Sequence, residues 1–161
     1  MSDFLLRRYD AARDEEASIA LWLRSWEATY PDIDFAARLD WWRERWRSTL
    51  VPTSEIIIAE AGGVMIGFVT VDPRTFYLDQ IVVAPERWGT GVGPALIAQA
   101  KRISPHGLDL DVNTDNTRAR AFYGREGFVV TGTGKNPISG KQVCRLRWPP
   151  KSSAPSKQWT R

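Results

Sequence analysis

The period of the apolar positions changes several times along the chain, and each change marks an element. Phe4, Leu5 and Leu6 predict a first strand from Phe4 to Tyr9. Ile19, Trp22, Leu23, Trp26 and Tyr30 then recur at spacings of three and four, the signature of one helix face. Asp14, Glu15 and Glu16 put negative charge where a helix N-terminus favours it, and Pro31 ends the segment. A second stripe, Phe35, Leu39, Trp42 and Trp46, predicts a helix from Phe35 to Leu50, with Arg38, Arg43, Arg45 and Arg47 largely off it and Pro52 as its stop.

The pattern then turns to strands. Ile56, Ile57 and Ile58 form a β-branched run within Glu55 to Glu60, and Ala61-Gly62-Gly63 connects it to a strand over Val64 to Val71. Asp72-Pro73-Arg74 is the next turn, and Thr75 to Val83 is a third consecutive strand. A glycine-rich loop leads to a helix over Pro94 to Ile103, followed by a strand at Leu108 to Val112. Thr117 to Glu126 is a helix, with Gly127 where a left-handed cap is expected. Phe128 to Thr131 and Gln142 to Arg147 are the last strands, joined as a hairpin through the Gly132–Gly140 loop. The order is strand, two helices, three strands, helix, strand, helix, two strands, which predicts an α/β (α+β) fold with a mixed sheet and helices on its faces.

Composition narrows the class. The 161 residues suit one domain, placed at residues 1–148, and residues 149–161 carry little apolar content beyond Trp159 and read as a basic, disordered tail. No apolar run approaches the ~20 residues of a membrane helix, and Met1 to Arg8 has no secretory-signal pattern, so neither a membrane nor export is expected. Cys144 is the one cysteine and His106 the one histidine, so no internal disulfide and no Cys/His metal cluster can form; a cytoplasmic protein without a metal is expected. The net charge of +3 suits an anionic ligand but is weak evidence for nucleic acid, so an arginine-and-tail nucleic-acid binder is the third of three readings.

The chemistry concentrates in Val82-Val83-Ala84-Pro85-Glu86-Arg87-Trp88-Gly89-Thr90-Gly91-Val92-Gly93-Pro94. Glycines at alternate positions let backbone amides turn toward a ligand, and the helix N-terminus that follows adds unpaired N–H groups, so the loop suits phosphates. It is not a Walker loop, because Pro94 and Ala95 follow Gly93 where Lys and Ser/Thr belong. Nor is it the dinucleotide fingerprint, because the sixth position from Gly89 is Pro94 and three strands precede it.

A second motif follows: Asn116-Thr117-Arg118-Ala119-Arg120-Ala121-Phe122-Tyr123, then Gly127-Phe128. Together, in this order and at this separation, the two segments resemble the GNAT superfamily of acetyl-CoA-dependent N-acetyltransferases. Its loop reads Gln/Arg-x-x-Gly-x-Gly/Ala after a strand, and its later helix Asn-x-x-Ala-x-x-Phe-Tyr before Gly-Phe. The likeness covers about Phe4 to Trp148, and it implies a mostly antiparallel central sheet of about seven strands flanked by about four helices. One position departs: Trp88 stands where the family has Gln or Arg, with Arg87 one residue earlier.

The resemblance implies acetyl-CoA as co-substrate and a small-molecule or peptide amine as acceptor, attacked directly in a ternary complex by a monomer or homodimer. Its pyrophosphate would rest on amides of Trp88, Gly89, Thr90, Gly91, Val92 and Gly93, with Arg87 as a further contact. The pantetheine arm would lie along Ile81, Val82 and Val83, with Asn116, Ala119 and Tyr123 beside it. Tyr123 is the expected general acid for the departing thiolate, and Asp79, on the face shared with Tyr77 and Ile81, the expected base. Asp109, Asp111 and His106 are alternative bases. Trp26, Tyr30 and Tyr77 are expected to border the acceptor, with Trp41 and Trp42 nearby. A silent CoA-binding module of the same fold is the alternative to an enzyme.

Overall fold

The computed structural model describes residues 3–149. The tail expected at 149–161 lies outside them from residue 150 onward. Within these residues the chain divides into two compact units at Ile103/Ser104.

The first unit opens with β1 (Leu5–Arg8) and α1 (Ala11–Thr29), whose N-cap Asp10 accepts the Ala12 amide. The helix ends one residue before Tyr30-Pro31, as proline requires. The second helix departs from the regular one expected over Phe35–Leu50. A 3-10 turn at Ala36–Arg38 leads into α2 (Leu39–Arg45), a π-helical turn spans Trp46–Leu50, and a final helical turn, Val51–Thr53, carries Pro52 inside it. Pro52 sits at the start of that turn, where its missing N–H costs little, so it does not stop the helix. The π-turn has a packing reason. Trp46 is fully buried, edge-on to Phe68 at 5.2 Å and to Tyr9 at 5.6 Å, and its Nε1 donates to the Tyr9 hydroxyl at 3.0 Å.

Three strands complete the sheet of this unit: β2 (Glu55–Ala61), β3 (Val64–Asp72) and β4 (Tyr77–Val83). Every pairing from β1 to β4 is antiparallel. The strand expected from Thr75 starts at Tyr77, because Thr75 and Phe76 belong to the turn, Phe76 at φ 67° with its amide on Asp72 O. Two aromatic helices cover one face: Trp22 stacks on Trp42 at 4.6 Å, and Trp42 contacts Trp46. The helix α3 (Val92–Ile103) covers the other. It lies so close to β3 that a Cβ on Gly67 would meet Leu96 Cδ1 at 3.0 Å and Val92 Cγ1 at 3.1 Å. That close approach fixes where the glycine loop delivers its helix.

The second unit holds β5 (Leu108–Asn113), α4 (Thr117–Arg125), β6 (Val129–Lys135) and β7 (Gln142–Trp148). β7 pairs antiparallel with both β5 and β6, so the expected last hairpin forms, with β6 running four residues past Thr131 to Lys135. The fold is thus mixed α/β, with seven strands in mostly antiparallel arrangement and four principal helices.

Candidate active site

In the first unit the glycine loop opens with a 3-10 turn, Pro85–Arg87, and ends where α3 begins at Val92. Gly89 (φ 79°) and Gly91 (φ 98°) take left-handed conformations that side chains rarely adopt. The expected row of amides from Trp88 to Gly93 divides. Trp88 N–H donates to Pro85 O and Thr90 N–H to Arg87 O, both at 3.2 Å, so these two turn into the loop. The amides of Gly89, Gly91, Val92 and Gly93 donate to no acceptor among the described residues. The left-handed turns at Gly89 and Gly91 leave these amides uncommitted just ahead of and within the first turn of a helix N-terminus.

Arg87 is paired with Asp3, Nη1 donating to Oδ1 at 2.9 Å and to Oδ2 at 3.1 Å. Asp3 is well exposed, so this pair contributes little. Trp88 has a structural task in place of the family's Gln or Arg. Its Nε1 donates to Val83 O at 2.9 Å, tying the loop back to the end of β4, and the Ser25 hydroxyl donates to the same carbonyl at 3.1 Å. Ser25 was not visible as a site residue in the sequence; a buried serine inside an apolar helix face is the signal that could have marked it.

The strand β4 is not regular. Thr70 pairs with Gln80 but Val71 pairs with Leu78, so Asp79 is an extra residue with no partner on β3, a β-bulge. Beyond the bulge, Ala84 N–H donates to Ile66 O at 2.9 Å. Hydrogen-bonded and non-hydrogen-bonded pairs alternate in an antiparallel ladder, so Val82 opposite Phe68 gives its amide to β3. Ile81 opposite Val69 and Val83 opposite Gly67 turn theirs away from β3. Of the three residues expected to present amides, the backbone therefore turns two away from β3 and commits Val82 to the ladder.

The bulge also corrects the expected face of Asp79. Ile81 faces α3, on the side of its partner Val69 and of Gly67. Asp79 meets α2 instead: Arg45 Nη1 donates to Oδ1 at 2.9 Å and Nη2 to Oδ2 at 2.5 Å, while Gln80 Nε2 donates to Oδ1 at 2.9 Å. Tyr77, opposite Asp72, stays on that face, as expected. The carboxylate raises the affinity of Arg45 for its proton by hydrogen bonding, against the opposing effect of burial. Three N–H donors thus occupy the Asp79 carboxylate. The alternatives are engaged as well: Asp109 accepts from Arg147 and Asp111 accepts both Nε and Nη2 of Arg145. His106 is exposed.

The expected acceptor residues Trp26 and Tyr30 stack at 5.8 Å, and Trp26 also stacks on Phe35. Trp41 is exposed, whereas Trp42 is fully buried, edge of the aromatic core.

In the second unit, Asn116 caps α4, its Oδ1 accepting the Ala119 amide at 3.2 Å. Its amide NH2 is left for another partner. Asn116, Ala119 and Tyr123 follow one another at helical spacing on one face. A cleft of about 380 Å3 runs along the neighbouring face, past Thr117, Arg120, Ala121 and Gly124. The Gly127-Phe128 pair has a plain physical role: Phe128 N–H reaches Tyr123 O at 3.0 Å and Gly127 N–H reaches Gly124 O at 3.1 Å, a Schellman cap with Gly127 at φ 94°. Phe128 then packs edge-on against the Tyr123 ring at 5.6 Å. The cap thereby fixes Tyr123, which is 8% exposed. Burial pushes the Tyr123 phenol well above the ordinary tyrosine range, with Arg118 opposing weakly.

Among the described residues no three His, Cys, Asp or Glu side chains gather as metal ligands, and no helix is long and apolar enough to cross a membrane.

The two motifs and this architecture define an acyltransferase. The family model "Acetyltransferase (GNAT) family" matches residues 16–128, and the chain belongs to that family. A curated relative, the peptidyl-lysine N-acetyltransferase YjaB of Salmonella typhimurium, is 32% identical over 133 residues, covering 81% of this chain and 88% of that protein. The solution structure of apo YjaB from Escherichia coli matches with a TM-score of 0.73 at 26% identity, over 92% of this chain and 98% of that one. The PaiA N-acetyltransferase of Thermoplasma acidophilum, crystallised with coenzyme A, has the same fold at a TM-score of 0.70 and 22% identity, covering 90% and 98%.

Proposed function

We propose that this acetyltransferase takes acetyl-CoA and passes the acetyl group directly to a primary amine, with a peptide lysine side chain as the favoured acceptor. The observation that carries the reading is the set of four amides without an acceptor among the described residues, Gly89, Gly91, Val92 and Gly93, just after a strand end whose Ile81 and Val83 amides point away from β3. The first set suits a pyrophosphate. The second suits an extended pantetheine arm, which would add to the strand as a peptide does. Arg87 can exchange the exposed Asp3 for a phosphate at little cost. The lysine acceptor is supported by the likeness to YjaB of Salmonella typhimurium, a peptidyl-lysine N-acetyltransferase at 32% identity.

In the reaction the amine nitrogen attacks the thioester carbonyl carbon, the C–S bond breaks and CoA leaves as thiolate. An outward β4 amide holds the developing oxyanion. A phenol near or above pKa ~10 gives its proton to a thiolate of ~8.5 only uphill, by about 2 kcal/mol or more. Tyr123 therefore serves as a hydrogen-bond donor to the sulfur, keeping its proton. The proton lost by the ammonium goes to water, since Asp79 is held by Arg45 and Gln80.

Thermal unfolding tests cofactor use. Acetyl-CoA at a hundred times its Kd should raise the melting temperature by about 5–10 °C for a chain of this size. No shift at millimolar acetyl-CoA would remove the reading.

A further inference from the structure

The Asp79 carboxylate is fixed by a side chain 34 positions away in sequence, on a different element. Arg45 is the last residue of α2 before the π-turn, and its guanidinium lies 5.6 Å over the Trp42 ring. It reaches the single residue of β4 that has no partner on β3. Bidentate guanidinium–carboxylate pairs are directional as well as strong. Here the pair ties a helix to a bulge, and Gln80, itself anchored by its amide on the Thr70 hydroxyl at 3.1 Å, adds a third donor.

What the bulge does follows from counting. Below it, Asp72 pairs with Tyr77 and Val71 with Leu78. If that register continued, Phe68 would face Ile81 and Gly67 would face Val82. Phe68 belongs to the hydrogen-bonding set of β3, which also includes Ile66. The amide of Ile81 would then be consumed by β3 and that of Val82 would point outward. The extra residue at Asp79 reverses this and turns the amides of Ile81 and Val83 away from β3.

We propose that Arg45 and Asp79 form a latch that holds the β4 bulge, and so act as positioning residues that present the Ile81 and Val83 amides to the acyl-CoA. The proposal rests on acetyl-CoA being the ligand and assigns no proton transfer to Asp79. It accounts for a part-buried ion pair at a position where a base was expected, and for a one-residue bulge at the residue that Arg45 grips.

The test is a double-mutant cycle with Arg45→Gln, Asp79→Asn and the double variant, read as separate KM values for acetyl-CoA and acceptor and as a pH–rate profile. Arg45→Lys, which keeps the charge but loses the fork, serves if the others fold poorly. Amide chemical shifts of Ile81 and Val83 are followed in each protein. A latch predicts that both single variants raise the acetyl-CoA KM about tenfold, since small displacements of positioning groups are costly. The double variant is no worse than either single one, Arg45→Lys recovers only part of the loss, the two amide resonances move, and the pH profile keeps its shape. A collapse of kcat in Asp79→Asn with a changed acidic limb, while Arg45→Gln stays near wild type, would make Asp79 the base and overturn the latch. Unchanged KM with only a lower melting temperature would reduce the pair to a stabilising contact. Failure of the wild-type protein to bind acetyl-CoA is a separate result, one that strikes the functional reading and not the latch alone.

Discussion

The indole N–H of Trp88 donates to the carbonyl of Val83 at 2.9 Å, closing the glycine loop onto the end of β4. This bond joins the segment that suits the pyrophosphate to the segment that suits the pantetheine arm. Where the family carries Gln or Arg, this chain spends the position on holding the loop in place. Trp88→Phe keeps the ring and removes the donor, leaving Val83 O with the Ser25 hydroxyl. The loss of one partly buried hydrogen bond is about 1 kcal/mol, or about fivefold in acetyl-CoA affinity. Titration calorimetry of the two proteins measures it, and equal affinities would show that the indole N–H does not set the loop.

Gly91 gives a sharper contrast because a control exists in the same unit. Gly91 (φ 98°) lies in the loop, while Gly62 (φ 58°) lies in the β2–β3 turn, and a Cβ at either meets no atom within 4 Å. Alanine at each position costs backbone strain of about 1–2 kcal/mol and no clash. Both variants should melt lower than wild type, but only Gly91→Ala should also weaken acetyl-CoA binding, by about tenfold. Equal loss of affinity in Gly62→Ala would mean that general destabilisation explains the effect.

Tyr123 makes a prediction about pH. Its proton is held more tightly than that of an ordinary phenol, so the donor form persists beyond pH ~10. The rate should therefore climb from pH 7 to about 10 with the deprotonation of the acceptor amine and show no alkaline fall from the enzyme. Using an acceptor amine of lower pKa should move the rise by the same amount. Tyr123→Phe should lower kcat about tenfold or more, the scale of one hydrogen bond to an anion, and leave the shape of the profile intact. A falling limb near pH 9 that disappears in Tyr123→Phe would restore the tyrosine as a titrating acid.

The frame under the site has its own titrating pair. Arg7 Nη1 and Nη2 bond the two oxygens of Asp14 at 2.7 and 2.8 Å, the Asp10 amide adds a third donor, and Asp14 is 2% exposed. These contacts, the guanidinium first, hold the Asp14 carboxyl below the usual aspartate range. Its folded pKa is depressed, so its contribution is present above the unfolded value of about 3.9 and fades as pH falls through the lower folded value. Asp14→Asn should cost about 3 kcal/mol near pH 7, because it leaves Arg7 with a weaker partner in a buried setting. The gap to wild type should narrow below pH 4. Urea unfolding at pH 7 and pH 3.5 checks both parts, and a gap independent of pH would assign the loss to packing.

Much of this was legible in the sequence, and the division is physical. Glycine conformations and caps are local, so the loop and the Asn116–Phe128 segment could be read directly; Gly127 caps α4 as its position predicts. Apolar periodicity located every strand and helix because burial sets it. The second helix kept its stripe but not its regular shape, since the π-turn answers to Trp46 packing against Tyr9 and Phe68 from distant parts of the chain. The bulge at Asp79 was invisible for a similar reason: period-two reasoning assumes an unbroken register, and one extra residue reverses every inference beyond it. The Arg45 contact depends on that bulge and on the helix above it, and no local pattern encodes it.

The most direct measurement is thiol release from acetyl-CoA in the presence of a lysine-containing peptide, with the peptide's mass read in parallel. Direct transfer frees one thiol for each acetyl group gained, on the lysine side chain, with a rate that saturates in both substrates. Tight acetyl-CoA binding without thiol release or a mass gain across lysine peptides and small primary amines would contradict it.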